Sequence, residues 1–507
     1  MYIYKAFQQL KSMTPFITDC IPKQFTFEQE KLPPVVVNFH GGLVTSDAGL
    51  SLIADIDRKL QITSRLAQCF QDYREQNRSL HSVESLVAQR IYGLIMGYED
   101  LNDHEELRHD PMFALALRKR IGQKNQPVIL AGKSTLNRLE HCPENVEQGG
   151  ESRYHRIGHS EAAIESLFVD IFLESYSSPP REIILDLDVT DDLVHGNQEQ
   201  VFFNTYYGGY CYAPLYIFCG KHLLAAKLRP SNVDPASGAL TELQRVIKQI
   251  RRQWSNVEIL VRGDSAYSRN DIMDWCEAQT QVNYVFGLPQ NSRLIKMAMA
   301  TQNKAKQEFE EKLSTVVSFL ETLFVPDIEL QTSASHLIDS SIWYRTLDYQ
   351  TRESWSRSRR VVAKLEYGAK GSNIRFVVTS IPANKIAPGK LYTQKYCPRG
   401  EMENRFKEQQ LELFSDRTST HTFAGNQLRL WFSSIGYVLM NALRSQCLVK
   451  TELQNAQVGT IRTKLLKLGA LITVSTRRVL IAINSSFPYK HIYAAAYRRL
   501  QLLPNSG

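Results

Sequence analysis

Two apolar runs, each closed by an aspartate, constrain this chain more than any other feature. The first is Ile183-Ile184-Leu185-Asp186-Leu187-Asp188-Val189-Thr190 and the second is Val257-Glu258-Ile259-Leu260-Val261-Arg262-Gly263-Asp264. Short aliphatic, β-branched runs of this kind predict strands buried in a sheet. If the two strands are neighbours, Asp188 and Asp264 meet across 75 intervening residues. A polar helix opening near Arg399-Gly400-Glu401-Met402-Glu403 would add Glu403 on packing against that sheet. Carboxylates converging from distant segments are what a hard divalent cation needs.

The elements around these runs set the fold class. Residues 206–219 are rich in Tyr, Phe and Ile with a turn at Gly208-Gly209, and residues 222–228 return after Gly220-Lys221, so two antiparallel strands follow the first run. Helical spacing of Leu240, Leu243, Val246, Ile247 and Ile250 precedes the Asp264 strand, and a helix over 271–278 and a strand over 284–288 follow it. Strand, strand, strand, helix, strand, helix, strand is the ribonuclease H-like order. The expected class is therefore α/β, with a ribonuclease H-like core over 179–292 and 373–443. A β-rich insertion over 293–372 interrupts it. A lead-in (1–34) and a helical N-terminal domain (35–178), a candidate for binding a partner, precede the core, and a basic helical region (444–507) follows. Ser46 or Asp47, and Ser134 or Thr135, are the expected helix caps in the N-terminal domain.

Charge is concentrated where a polyanion would need it. Residues 444–507 carry ten cations, among them Arg477 and Arg478, against the single Glu452, a net of +9. The other 443 residues net −1 of the chain's +8. Neutralised phosphates release counterions, so such a segment suits DNA; the bland reading is a solvated tail. The eight cysteines show no CxxC pairing, which argues for reduced thiols and against zinc. Nothing reads as a signal peptide or a membrane span. Gly132-Lys133-Ser134-Thr135 resembles the end of a phosphate loop, but Pro127 stands where that loop needs glycine, so nucleotide binding is rejected. Arg118-Lys119-Arg120, on a preceding helix end, is as consistent with DNA contact as with an ordinary surface.

Within the site the residues leave choices open. Asp186 shares a strand face with Asp188. Asp188 is favoured because Thr190-Asp191-Asp192 mark the strand exit, and Arg262 is expected to point away from Asp264. Either aspartate alone is most often a turn former. Tyr396, Arg399 and Glu403 stand at i, i+3 and i+7, one face of a helix that starts early, with Gln410 continuing it. Against that, Glu403 paired with Lys407 on a wet surface is the structural alternative. Spacing alone does not choose among Glu401, Glu403 and Glu408.

Taken together, Asp188-Val189-Thr190, Gly263-Asp264-Ser265-Ala266-Tyr267 and the Tyr396, Arg399, Glu403 set resemble bacterial insertion-sequence transposases of the DDE class. The branch is the one with a strand-rich insertion before the glutamate. The family's third motif ends in a lysine where this chain has Gln410; Lys407 is the nearby substitute. His40 to Gly49 and Asp188 to Gln198 resemble insertion-sequence family 1380. The resemblance implies cut-and-paste transposition: binding of double-stranded terminal inverted repeats, pairing of ends in a homodimer or larger complex, release of 3′ hydroxyls, and their transfer to target DNA. It implies Asp188, Asp264 and Glu403 as catalytic ligands of two Mg2+ ions, with Mn2+ as substitute, no nucleotide and no membrane partner, and a cytoplasmic, nucleoid-associated location. Tyr396, Arg399 and Lys407 become candidate DNA contacts. Trp343 and Trp355 with Arg352, Arg357, Arg359 and Arg360 are candidates for holding a flipped base, the alternative being that the tryptophans pack a small inserted sheet. Rival functions are a catalytically inactive DNA-binding derivative and a ribonuclease H-like nuclease that never joins strands.

Overall fold

A computed structural model describes residues 24–29, 33–121, 129–144, 155–322, 332 and 334–504. Pro127 and most of the lead-in lie outside them. The centre is an eight-stranded mixed sheet of β1 (Glu182–Val189), β2 (Leu215–Cys219), β3 (His222–Lys227), β4 (Glu258–Gly263), β5 (Val282–Leu288), β6 (Ser341–Tyr349), β7 (Arg359–Gly368) and β8 (Gly371–Thr379). Their spatial order is β3-β2-β1-β4-β5-β8-β7-β6. β1 runs parallel to β4 and β4 to β5, while β1–β2, β2–β3 and the three pairs from β5 outward are antiparallel. The strands of the expected insertion therefore extend the central sheet and make no small sheet of their own.

Alternation along the strands divides the two faces. Ile183, Leu185 and Leu187 of β1 and Ile259 and Val261 of β4 enter one core with Leu243, Val246 and Ile250 of α5 (Ala239–Gln253) and Ile272 and Met273 of α6 (Asn270–Ala278). The opposite face, which carries Ile184, Asp186 and Asp188, is covered by the helical stretch that begins at Leu391 and Tyr392. Helices α1 (Leu50–Leu60), α2 (Ile62–Gln68), α3 (Val83–Met96) and α4 (Glu161–Glu174) share a second core with α9 (Phe423–Ala442) and α10 (Lys490–Leu502). α9 is buried around nearly its whole circumference, as a helix hydrophobic on all sides requires. It is tied to α3 through buried Glu140, which takes Arg90 at 2.6 Å and Arg429 at 2.7 Å.

Two local expectations change. Gly49 and Gly132, with no capping side-chain bond, stand at the helix starts assigned to Ser46 or Asp47 and to Ser134 or Thr135. The basic C-terminal region is not all helical: strands Ala470–Val474 and Val479–Ile483 form a hairpin that pairs with Leu43–Thr45, with Arg477 and Arg478 exposed in its turn. Alternating burial of Ala470 and Ile472 against exposed Leu471 and Thr473 carries that period-two pattern. Among the described residues no helix is long and apolar enough to cross a membrane.

Candidate active site

Register brings the two aspartates together. Arg262 on β4 is level with Asp186 on β1, so two residues further along Asp264 is level with Asp188 at the exit of the sheet. Asp188 is half-buried; its Oδ1 accepts from the Val189 amide at 2.9 Å and its Oδ2 from Arg399 Nη1 at 2.8 Å. Burial, with the nearby charges of Asp264 and Asp186, pushes its carboxyl up to about 6 against the opposing pull of Arg399 and the Val189 amide. Asp264 caps the tight turn Ser265–Tyr267, accepting from Ala266 N at 2.9 Å.

Asp186 is committed elsewhere. It is buried and held by both Arg262 Nε and, at 2.8 Å, Arg262 Nη2, while Arg262 Nη1 donates to the Lys395 carbonyl at 2.6 Å. Arg262 thus lies on the face of Asp186 and not away from the aspartates, because residues two apart on a strand share a face. This arginine clamps the covering segment onto the sheet.

That segment changes winding along its length. Leu391–Tyr396 is a wide π-type stretch, Cys397–Glu401 a tight 3-10 stretch with Pro398 near its start, Met402–Lys407 regular α8, and Glu408–Glu412 wide again. Such departures from 3.6 residues per turn re-aim side chains. Tyr396 and Arg399 reach the aspartates. Tyr396 crosses β5 at Gly287, where a Cβ would lie 2.7 Å from the tyrosine oxygen and 2.9 Å from the Ser265 amide nitrogen. Burial raises the Tyr396 hydroxyl, with Asp264 adding and Arg399 opposing. Glu403 is not brought in: it is exposed, while Met402 and Phe406 of the same turn are buried. Nor is it paired with Lys407, which is also exposed. Glu408 is buried against Arg444 at 3.0 Å, and Glu401 is exposed. Among the described residues no group of three or more His, Cys, Asp or Glu side chains is gathered to hold a metal ion.

Gln410 has a positional task. Its amide nitrogen donates to Asp191 O at 2.7 Å, Asp192 Oδ1 at 3.0 Å and Thr190 Oγ1 at 3.2 Å, fixing the loop that leaves β1 just beyond Asp188. Sequence reading also passed over Tyr267 and Arg229. The Tyr267 hydroxyl is buried with no hydrogen-bond partner, and Asp188 and Asp264 help burial hold it well above its ordinary range. Arg229 is buried, with three donors on the carbonyls of Ala213, Pro235 and Ser237 and its Nη2 unpartnered. Tyr267 stood in a quoted motif; nothing local marked Arg229.

The outlying candidates divide by partner. Arg359 is buried and bound to Asp274 at 2.6 Å and Glu277 at 2.7 Å, and Arg360 donates to the carbonyls of Ile381 and Ile386 at 2.9 Å. Trp355 is buried beneath Arg359 and edge-on to Tyr349, a packing role. Trp343 is 40% exposed on β6 with its indole nitrogen on Glu308 at 2.7 Å. Arg352 and Arg357 are exposed, Arg357 lying 3.4 Å from Glu277. Arg118 and Arg120 are exposed and Lys119 is half-buried, all three lying past the end of the helix Pro111–Ala116.

Comparison with curated proteins gave no match. Among solved structures, a piggyBac transposase synaptic complex with hairpin DNA shares 10% identity over 91% of this chain and 86% of its own, at a TM-score of 0.36, too remote to support an inference. The family model "Transposase DDE domain group 1" matches residues 27–505. Spanning nearly the whole length, that match makes this chain a member of the DDE-domain transposases.

Proposed function

We propose that the chain is a transposase of the insertion-sequence 1380 type that cuts DNA at terminal inverted repeats and transfers the 3′ ends to target DNA. The observation that carries the reading is the pair Asp188 and Asp264, side by side at the exit of β1 and β4, from a chain of this family. The element order from β1 to β5 supports a ribonuclease H-like core.

Two aspartates whose mutual repulsion is eased by Arg399 and the Val189 amide suit Mg2+ or Mn2+, which prefer a few carboxylates plus water and phosphate oxygens. The fit is with this pair; exposed Glu403 would join it only if its helix turned toward the sheet. A bound divalent ion would supply charge neutralisation at the phosphodiester and activation of the attacking oxygen. The chain's own residues do the rest. Arg399 is the cation nearest the pair and would exchange Asp188 for a phosphate oxygen, bidentate contact being available to its guanidinium. Tyr396 is poised to orient that phosphate. Gln410 holds the β1 exit loop, and Arg262 holds the segment carrying both residues. Lys407 and the hairpin pair Arg477 and Arg478 are free to meet DNA flanks, and the ends are expected to be paired by at least two copies of the chain.

The test is cleavage of a DNA fragment bearing the gene's own flanks, with Mg2+ or EDTA, using wild type beside Asp188→Ala, Asp264→Ala and Glu403→Ala. Metal-dependent cuts at matched inverted repeats, lost by at least 100-fold in all three variants, are expected. An Asp264→Ala protein that cuts normally would refute the assignment, and specific binding without any cleavage would identify a non-catalytic DNA-binding derivative.

A further inference from the structure

We propose that a small aromatic sheet beside Asp188 is a platform on which unstacked bases of a DNA strand rest. The inference builds on the reading of Asp188 and Asp264 as the cleavage centre. The sheet consists of Asp192–Leu193, Gly209–Tyr212 and Phe202–Asn204, in that order, and it grows from the same exit loop that carries Asp188 into Gln410. Only Val189, Thr190 and Asp191 separate Asp188 from the sheet's first strand, and the charge of Asp188 acts on Tyr207.

Its surface is unusual in both exposure and composition. Phe203 is 53% exposed, Tyr210 57% and Tyr206 87%. Phe203 and Tyr210 are cross-strand partners with ring centroids 5.5 Å apart at 73°, and Tyr206 meets Tyr207 at 5.0 Å and 82°. Each edge-on contact covers one face of one ring, and at these exposures the remaining faces meet solvent. The support beneath is stiff: Asn204 donates to the Ser231 carbonyl at 2.8 Å and accepts from the Tyr206 amide at 2.9 Å, and Ser231 donates back to the Phe202 carbonyl at 2.9 Å. At these exposures the three rings together offer roughly 300–500 Å², from a full ring area of about 150–250 Å² each. That falls short of the roughly 800 Å² per partner of a stable protein interface, but matches two or three bases. Asp191, whose charge acts on Tyr207, repels phosphates, so the part of a nucleic acid suited to these faces is the neutral base, stacked on a ring. Trp343 and Trp355 do not compete for this role, since one is pinned to Glu308 and the other is buried.

The test is anisotropy of a labelled short oligothymidylate and of a blunt mixed-sequence duplex, in EDTA, with the full chain. Phe203→Ala/Tyr206→Ala/Tyr210→Ala is expected to weaken oligothymidylate binding by roughly 100-fold and duplex binding by less than about threefold, since stacking is sequence-tolerant and requires unpaired bases. Tyr206→Phe/Tyr210→Phe keeps the rings and should bind as wild type does. Should the triple variant fail to fold, Tyr206→Ala alone, at the most exposed ring, is expected to lose about tenfold. Oligothymidylate affinity unchanged in these variants overturns the platform, as does a fall in self-association in place of a fall in binding. Because no cleavage is needed, loss of oligothymidylate binding in a protein that never cuts DNA would support the platform while removing the transposase reading.

Discussion

Arg262 and Asp186 form one buried pair that ties the covering segment to the sheet beside the candidate site. Both are about nine-tenths or more buried, and burial raises the Asp186 carboxyl even though Arg262 opposes it. Removing one partner strands the other charge in the sheet. Asp186→Ala is therefore expected to lower apparent stability by about 3–5 kcal/mol, whereas Asp186→Leu combined with Arg262→Met should cost much less. Chemical unfolding at neutral pH would check this, and a single variant within about 1 kcal/mol of wild type would contradict it. Asp188, two residues on, is less deeply set: both it and its partner Arg399 are half-buried, which fits the exchange of partners proposed for it.

At the scale of elements, the helical layer carries a pH liability. His104 is buried against α3, accepting at Nδ1 from the Gln89 amide at 3.2 Å, with its Nε2 unpartnered. Burial, and secondarily Arg90, lowers its pKa from 6.5 to about 3. The unfolded chain therefore binds a proton between about pH 6.5 and pH 3 that the folded chain refuses, so stability is full above pH 6.5 and is lost as pH falls toward 3. From pH 7 to pH 5 the loss from this one histidine is about 2 kcal/mol. Melting curves should show a steeper fall for wild type than for His104→Gln over that range; parallel curves would exclude His104 as the cause. The same scale explains why Glu403 escaped a simple reading: the i, i+3, i+7 pattern holds for uniform winding, and residues 391–412 are wound three ways.

For the whole molecule, the two ends of the chain are structurally one. The Ala48 and Gly49 amides donate to the carbonyls of Leu468 at 3.0 Å and Leu466 at 3.1 Å, and a Cβ on Gly49 would lie 2.4 Å from both the Leu465 oxygen and the Leu466 Cα. Backbone cannot yield there as a flexible side chain would. Gly49→Ala is expected to destabilise by about 1–3 kcal/mol or more, seen as a lower melting temperature and reduced soluble yield; an unchanged melt would show that the helix start can shift freely. Leu465, Leu466, Ile492 and Leu500 complete the core of α1 to α4 and α9, so the basic C-terminal region is part of the body and not an appended tail.

Periodicity in the sequence was enough to place β1, β3, β4, β5 and two helices around Asp188 and Asp264, because local apolar patterning dictates which residues must leave water; the single strand expected over 206–219 is instead Gly209–Tyr212 in a small separate sheet and Leu215–Cys219 in the central one. That the two aspartates stand level follows from the strand register, Arg262 beside Asp186 with Asp264 and Asp188 each two residues further on, which was legible in the sequence only on the condition that the strands are neighbours. What the sequence could not decide was anything set by packing between distant segments. The extension of the central sheet by β6 and β7, the pairing of Ala470–Val474 with Leu43–Thr45, and the burial of Arg229 and Trp355 depend on neighbours hundreds of residues away or on faces without local signature. Glu403, Lys407 and the carboxylates beside them carry nearly identical local signals. Their positions are settled by the winding of the segment across the sheet and by Arg262 holding it there, and that is a property of the tertiary structure alone.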